Sequence, residues 1–191
     1  MYTTATKVKA YVDTGSMTDE AIEAFITSVS KEMDRMANQK LGVDLPSSGD
    51  PTPSKYYDGN LRGSINIDPC YDIESVELGD KYGENFVEET QYVKYPAVAP
   101  YTALYLKGGI WPYGNQNVKV TADFGLFDTI PEDLSFACTV LTAGIILNKN
   151  ASGEIKSEKI GNYSVSYDTE TGGQDFKRAI DIINSYRKLD F

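Results

Sequence analysis

The spacing of apolar residues changes twice along this chain, from a helical period to a strand period and back. Residues 22–37 place apolar side chains every three or four positions, which is typical of an amphipathic helix. After the loop sequence LPSSGDPTPS the period falls to two, as in half-buried strands. The helical period returns at IPEDL, where proline suits the first turn of a helix. The pattern predicts an α+β fold, in which N- and C-terminal helices form a bundle around an inserted small antiparallel β module.

The predicted elements divide the chain into a helical core, residues 1–53 and 128–191, and a β module, residues 54–127. Capping residues and apolar stripes predict helices over residues 4–12, 16–41, 130–150 and 174–189. Alternation and turn signals predict strands over residues 55–58, 64–68, 73–78, 102–107 and 116–124. Pro96 and Pro100 restrict any strand within residues 82–101 to the edge of a sheet.

The charge balance argues against a protein that grips nucleic acid. The chain carries 18 Lys and Arg residues against 28 Asp and Glu residues, a formal net charge of −10. Such a chain repels DNA phosphates on average, although a weakly contacting acidic wall would suit a conduit through which DNA slides. No apolar run approaches the roughly 20 residues that span a bilayer, and the N-terminus lacks the apolar segment of a signal peptide. We therefore expect no membrane partner and synthesis in the cytoplasm.

Several residue types that common active sites require are missing. The chain has no histidine, which excludes Ser-His and Cys-His catalysis and the usual imidazole ligands of zinc. Neither a Walker motif nor a dinucleotide-binding glycine motif occurs. Cys70 and Cys138 are too few for a disulfide scaffold, so we expect both to be reduced and structural.

The carboxylates do not form a recognisable catalytic or metal-binding motif. Candidates for acid–base chemistry are Glu88, Glu89, Glu132 and Asp133, and a faint calcium-loop pattern is formed by Asp168, Glu170, Gly172 and Asp175. Adjacent residues on one element point in different directions, and the second set lacks the spacing of a calcium-binding loop. We predict no catalytic residue, no metal and no cofactor.

The sequence SEKIGNYSVSYD, residues 157–168, predicts an extended arm between two helices. Apolar Tyr163, Val165 and Tyr167 alternate with small polar residues, so an extended backbone would separate the two kinds of side chain onto opposite faces. The arm belongs to a hinged segment, residues 153–173, whose flanking glycines free the chain on both sides. A lone strand must pair either within its own chain or with a neighbouring molecule, and both alternatives are open at this stage.

The aromatic residues suggest a carbohydrate-binding function. The chain has 14 tyrosines and a single tryptophan, Trp111, in the sequence GGIWPYGN. Exposed aromatic rings beside acidic groups can stack on sugars, so the alternative prediction is a carbohydrate-binding or adhesion module of a phage or bacterial surface structure. Packing within strands explains most of these tyrosines equally well.

Four motifs together resemble the head-tail connector, or adaptor, proteins of tailed double-stranded DNA bacteriophages. They are YYDG at residues 56–59, WPYGNQNVKVTADFG at 111–125, IPEDL at 130–134 and the arm sequence at 157–168. The most specific parts are the NVKVT strand that leads by a short loop into IPEDL, and the arm after the third helix. Small members of that family are helical bundles with little sheet, so the β module is a departure from their pattern.

This resemblance implies a non-enzymatic virion protein located in the neck, between capsid and tail. Such a protein assembles as a ring, commonly a dodecamer, beneath the portal protein after DNA packaging. It docks the next connector, a stopper or a tail terminator protein, and DNA passes through the lumen without specific binding. The residues predicted to contact the portal or a neighbouring subunit are Ser157, Glu158, Lys159, Ile160, Gly161, Tyr163, Val165, Tyr167, Tyr186 and Arg187, with Gly153, Gly172 and Gly173 as hinges.

Overall fold

A computed structural model describes residues 1–43, 51–150, 157–160, 163–166 and 172–188 of the chain. Within these residues it contains four helices and a six-stranded antiparallel sheet, which confirms the predicted α+β class. The chain divides into a helical unit, formed by Met1–Leu41 and Ile130–Phe191, and a β unit, formed by Gly42–Thr129. The predicted domain bounds, residues 1–53 with 128–191 and residues 54–127, stay a prediction. No helix in the described ranges is both long and apolar enough to cross a bilayer.

The helical unit is organised around its third helix. Its helices are α1 (Ala5–Tyr11), α2 (Asp19–Ala37), α3 (Glu132–Asn150) and α4 (Gly172–Ser185). α3 contacts the three other helices, and residues 134–144 are buried except for half-buried Phe136. The sequence predicts a single inward stripe on this helix, whereas the structure covers it on nearly every side. Small residues such as Ala137 and Ala143 allow neighbours to approach from several directions.

Capping residues define the ends of the N-terminal helices. Thr18 Oγ1 accepts a hydrogen bond of 3.3 Å from the Ala21 backbone N–H, which makes Thr18 the N-cap of α2. α2 ends at Ala37, earlier than predicted. Asn38 adopts the left-handed conformation, with φ of 51°, and its N–H bonds back to the last turn, which stops the helix.

Tyrosine–aspartate hydrogen bonds tie segments of the helical unit together. Tyr11 at the end of α1 donates its hydroxyl proton to Asp175 Oδ2 of α4 at 2.7 Å. Burial, followed by the hydrogen bond and charge of Asp175, raises the pKa of Tyr11 to about 12, so the phenol remains a donor at neutral pH. Tyr2 likewise donates to Asp34 of α2, which holds the N-terminal segment against that helix.

The β unit is an antiparallel sheet in which the chain order is rearranged. Its strands are β1 (Ser54–Gly59), β2 (Ser64–Leu78), β3 (Val87–Glu88), β4 (Tyr92–Tyr95), β5 (Tyr101–Leu106) and β6 (Gly114–Phe124). They run in the order β1-β6-β2-β5-β4, and the short β3 pairs with the end of β2. β4 lies at the edge of the sheet and stops immediately before Pro96, as the prolines of this segment predict.

The sequence predicts two strands, residues 64–68 and 73–78, where the structure forms the single strand β2. β2 pairs with β5 in its first half and with β6 in its second half, and Cys70 is opposite both Tyr101 and Phe124. The register shifts on either side of Cys70, so the strand changes partner there. Pro69 provides no N–H to either ladder, but its carbonyl accepts the Gly125 N–H at 2.8 Å. Proline interrupts the alternation without ending the strand.

The core of the β unit includes Trp111, which is fully buried although it lies outside the strands. Its ring packs with apolar side chains from β2, β5 and β6, including Ile65, Leu104 and Val118. The indole Nε1–H donates to the Leu104 carbonyl at 3.2 Å, so its polar atom is satisfied inside the core. Trp111 therefore joins the connection between β5 and β6 to the strands beneath it.

We expect Trp111→Ala to lower the free energy of unfolding of the β unit by about 3–5 kcal/mol, because it opens a cavity in the core. Denaturant unfolding followed by circular dichroism measures this change. Tyr113→Ala is the matched control, because Tyr113 is close in sequence but 67% exposed, and its loss should alter stability by about 0.5 kcal/mol or less. Similar values for the two variants would contradict a core role for Trp111.

Candidate assembly site

The predicted arm forms two short strands rather than one extended stretch. β7 (Ser157–Ile160) and β8 (Tyr163–Ser166) pair antiparallel, with Ser157 opposite Ser166 and Ile160 opposite Tyr163. Of the two alternatives for the arm, pairing within its own chain is therefore realised between these strands. The sequence contained a signal for this hairpin, because Gly161-Asn162 is a dipeptide that favours two-residue connections between antiparallel strands.

The hairpin brings together six of the predicted contact residues. Ser157, Glu158, Lys159 and Ile160 belong to β7, whereas Tyr163 and Val165 belong to β8. Gly153, Gly161 and Tyr167 lie outside the described residues. Gly172 and Gly173, predicted as hinges, form the first turn of α4, and a side chain at Gly173 would meet no atom within 4 Å.

Tyr186 and Arg187 lie just after α4, apart from the hairpin in sequence. Tyr186 Oη donates to Asp133 Oδ2 at 2.8 Å, and its carbonyl accepts a hydrogen bond from the Gln39 side-chain amide. The Lys188 N–H donates to the Ala37 carbonyl at 2.8 Å. Partial burial, followed by the Asp133 hydrogen bond and charge, raises the pKa of Tyr186. These bonds fasten the chain after α4 to the end of α2 and the start of α3.

Three of the four carboxylates that the sequence offered for acid–base chemistry have hydrogen-bond or ion-pair partners in the structure. Glu132 forms an ion pair of 3.1 Å with Lys7, which also donates to Ser135 Oγ at 2.9 Å. Asp133 accepts the Tyr186 hydroxyl proton, and Glu89 accepts the Gln91 N–H within its own loop. No cluster of three or more potential metal ligands occurs among the residues that the structure describes. Glu132 and Asp133 therefore join the start of α3 to α1 and to the chain after α4.

The cysteines are free thiols with buried side chains, as predicted. Burial raises the pKa of Cys70 to about 12 and that of Cys138 to about 11, so both stay protonated and unreactive at neutral pH. Trp111 is also buried, and so cannot form the exposed sugar-stacking platform that the alternative function required. An aromatic residue flanked by glycine and proline in the sequence suggests a loop, but it does not reveal which way the ring points.

No family model matches the chain, and a search of curated proteins finds no match to its sequence. Solved structures do resemble it. The neck of an empty GTA particle computed with C6 symmetry has a chain with a TM-score of 0.60 and 10% identity, over 98% of this chain and 90% of that chain. The neck of a native GTA particle computed with C12 symmetry has one with a TM-score of 0.56 and 10% identity, over 98% and 89%.

A third structure, the virion of a native gene transfer agent (GTA) particle, has a chain with a TM-score of 0.53 and 14% identity. The alignment covers 100% of this chain and 94% of that chain. At these identities the three similarities establish a shared fold. They extend over the helical unit and the β unit alike, so the β module is part of the shared fold.

We expect Tyr186→Phe to reduce the free energy of unfolding by about 0.5–1 kcal/mol, because the hydrogen bond to Asp133 is lost from a partly solvated site. Urea denaturation at neutral pH measures the change. Tyr82→Phe is the control, because Tyr82 is 72% exposed and its hydroxyl has no hydrogen-bond partner in the described part of the chain. An equal effect of both substitutions would show that the Asp133 contact does not fasten the end of α4.

Proposed function

We propose that this chain is a structural, non-enzymatic component of the neck of a phage-like particle, where its copies form a ring beneath the portal protein. The ring, a dodecamer in this proposal, docks the next connector, a stopper or a tail terminator protein on its other side. DNA passes through the lumen without sequence-specific contacts.

The observation that carries the proposal is the likeness of nearly the whole chain to chains from GTA necks and a GTA virion. Necks computed with C6 and C12 symmetry are rings of repeated subunits, and a ring requires each subunit to offer two different surfaces to its neighbours. The sequence motifs that resemble phage adaptors support the same role independently. The formal charge of −10 also suits a lumen through which a polyanion must slide.

The β7–β8 hairpin is the proposed contact with the portal or with a neighbouring subunit. In this two-stranded sheet each strand uses one edge for its partner, so the other edge of each lacks a strand neighbour among the described residues. Open edges pair readily with a strand from another molecule, which supplies backbone hydrogen bonds without a deep pocket. Pairing within the chain and pairing between chains are therefore compatible.

Mixing the purified chain with purified portal rings and imaging the mixture by cryo-electron microscopy tests this function. We expect an additional ring of density under the portal, with one copy of the chain at each symmetry-related position. Portal rings that stay bare at micromolar protein concentrations, together with particles whose necks lack the chain, would overturn the proposal.

We expect the double substitution Tyr163→Asp and Val165→Asp to abolish binding to portal rings, because carboxylates on the alternating apolar positions oppose a packed contact. Co-sedimentation with portal rings measures binding, and circular dichroism checks that the variant remains folded. Ser164→Asp is the matched control, because it adds a charge to the same strand at a position of the opposite alternation. Normal binding by the double variant would exclude the hairpin as the contact.

A further inference from the structure

Two loops at one end of the β unit are joined into a single projection, which we call the tip and define as residues 60–63 and 107–113. The Leu61 N–H donates to the Trp111 carbonyl at 3.0 Å, and the Trp111 N–H donates to the Arg62 carbonyl at 2.8 Å. Buried Asn117 anchors the base of the tip, because its amide accepts the Gly59 N–H and donates to the Pro112 carbonyl. The tip is thus held in one conformation from within.

The tip exposes large apolar side chains on this rigid base. Leu61 is 57% exposed, Ile110 is 54% exposed and Tyr113 is 67% exposed. Each is next in sequence to a residue that is buried or hydrogen-bonded within the tip. Scattered exposed apolar residues need no explanation, but these three lie on two loops that backbone hydrogen bonds hold together. Rigid apolar and aromatic groups of this kind are the usual anchors of protein interfaces.

The charge of the tip is opposite to that of the rest of the chain. Its only charged residues are Arg62 and Lys107, both exposed and without an ion-pair partner among the described residues. The whole chain has 18 basic and 28 acidic residues, so removing these two leaves 16 basic and 28 acidic residues, a formal charge of −12. The charge of the tip is therefore opposite in sign to the net charge of another copy of the same chain, which favours their association.

Leu61 adopts a backbone conformation that is unfavourable for leucine, and the hydrogen bonds of the tip hold it there. Its φ is 56°, in the left-handed region that glycine and asparagine adopt more easily than leucine. A leucine here faces an unfavourable conformation and also exposes its side chain to water. Strain of this kind at an exposed site points to a function outside the isolated chain.

We propose that the tip docks on the acidic surface of a second copy of this chain. This inference rests on the proposed ring, since a ring of identical subunits brings the tip of one copy to a different surface of the next. Leu61, Ile110 and Tyr113 supply apolar contact, and Arg62 and Lys107 select an acidic surface. Nucleic acid fits less well, because a phosphate backbone offers nothing to two aliphatic side chains and binding would need more than two cations.

Site-specific photo-crosslinking within assembled particles tests the inference. Tyr113 is replaced by p-benzoylphenylalanine in the full chain, the particles are purified and irradiated, and mass spectrometry identifies the crosslinked product. We expect a crosslinked dimer of the chain, with the partner peptide rich in Asp and Glu. Val98→p-benzoylphenylalanine is the matched control, because Val98 is 77% exposed but lies outside the tip, and it should give little dimer.

Two further variants separate docking from folding. Arg62→Glu with Lys107→Glu should reduce the crosslinked dimer at least about tenfold, because like charges then face each other. Leu61→Asn should also reduce it, while the unfolding temperature stays equal or rises because asparagine tolerates the positive φ. A loss of stability in Leu61→Asn that matches the loss of dimer would assign Leu61 to the fold and overturn its docking role.

The outcomes distinguish the two proposals. Crosslinks to DNA or to another particle protein, with the chain still present in the neck, would overturn docking on a second copy and leave the ring intact. The same holds for an absence of crosslinks in correctly assembled particles. Particles that lack the chain would instead overturn the proposed function on which this inference rests.

Discussion

Burial of a single indole ring determines the shape of one end of the β unit. Trp111 contributes its ring to the core, its Nε1–H to the Leu104 carbonyl, and its backbone N–H and carbonyl to the loop after β1. An indole N–H buried without a partner costs about 1–3 kcal/mol, so the ring can enter the core only where such an acceptor exists. That requirement fixes the position of the connection between β5 and β6. The backbone hydrogen bonds of Trp111 then position the loop after β1 as well.

The helical unit shows where sequence patterns are sufficient and where they fail. The stripe of α2 could be predicted because one face of that helix meets water and the other meets protein. The buried faces of α3 could not be predicted from its sequence in this way, because Ser135 and Thr139 suggest an exposed face but are buried. Thr139 Oγ1 donates to the Ser135 carbonyl and shares a hydrogen bond with Thr3 Oγ1. The buried Thr139 hydroxyl is therefore satisfied without solvent.

The prediction of two separate strands within β2 failed for a different reason. Alternation reveals strand segments, but it does not reveal that β2 continues through Pro69 or that it exchanges partners at Cys70. Partner choice depends on contacts far apart in sequence, which local spacing does not contain. The candidate site shows the same division. The alternating residues of the arm could be read from the sequence, whereas alternation alone does not reveal that β7 pairs with β8.

The tip and the hairpin make different physical demands on a neighbour. Backbone pairing at a strand edge has low sequence specificity, since every extended segment presents the same N–H and carbonyl groups. The proposed docking of the tip would be selective through charge. Arg62 and Lys107, which have no ion-pair partner among the described residues, would lose hydration on docking and be compensated only opposite carboxylates. A closed ring of identical subunits needs affinity at one contact and a defined register at another, or it extends into a filament. In the proposed ring the hairpin would supply the affinity, and the tip would set the register through Leu61, Arg62 and Lys107.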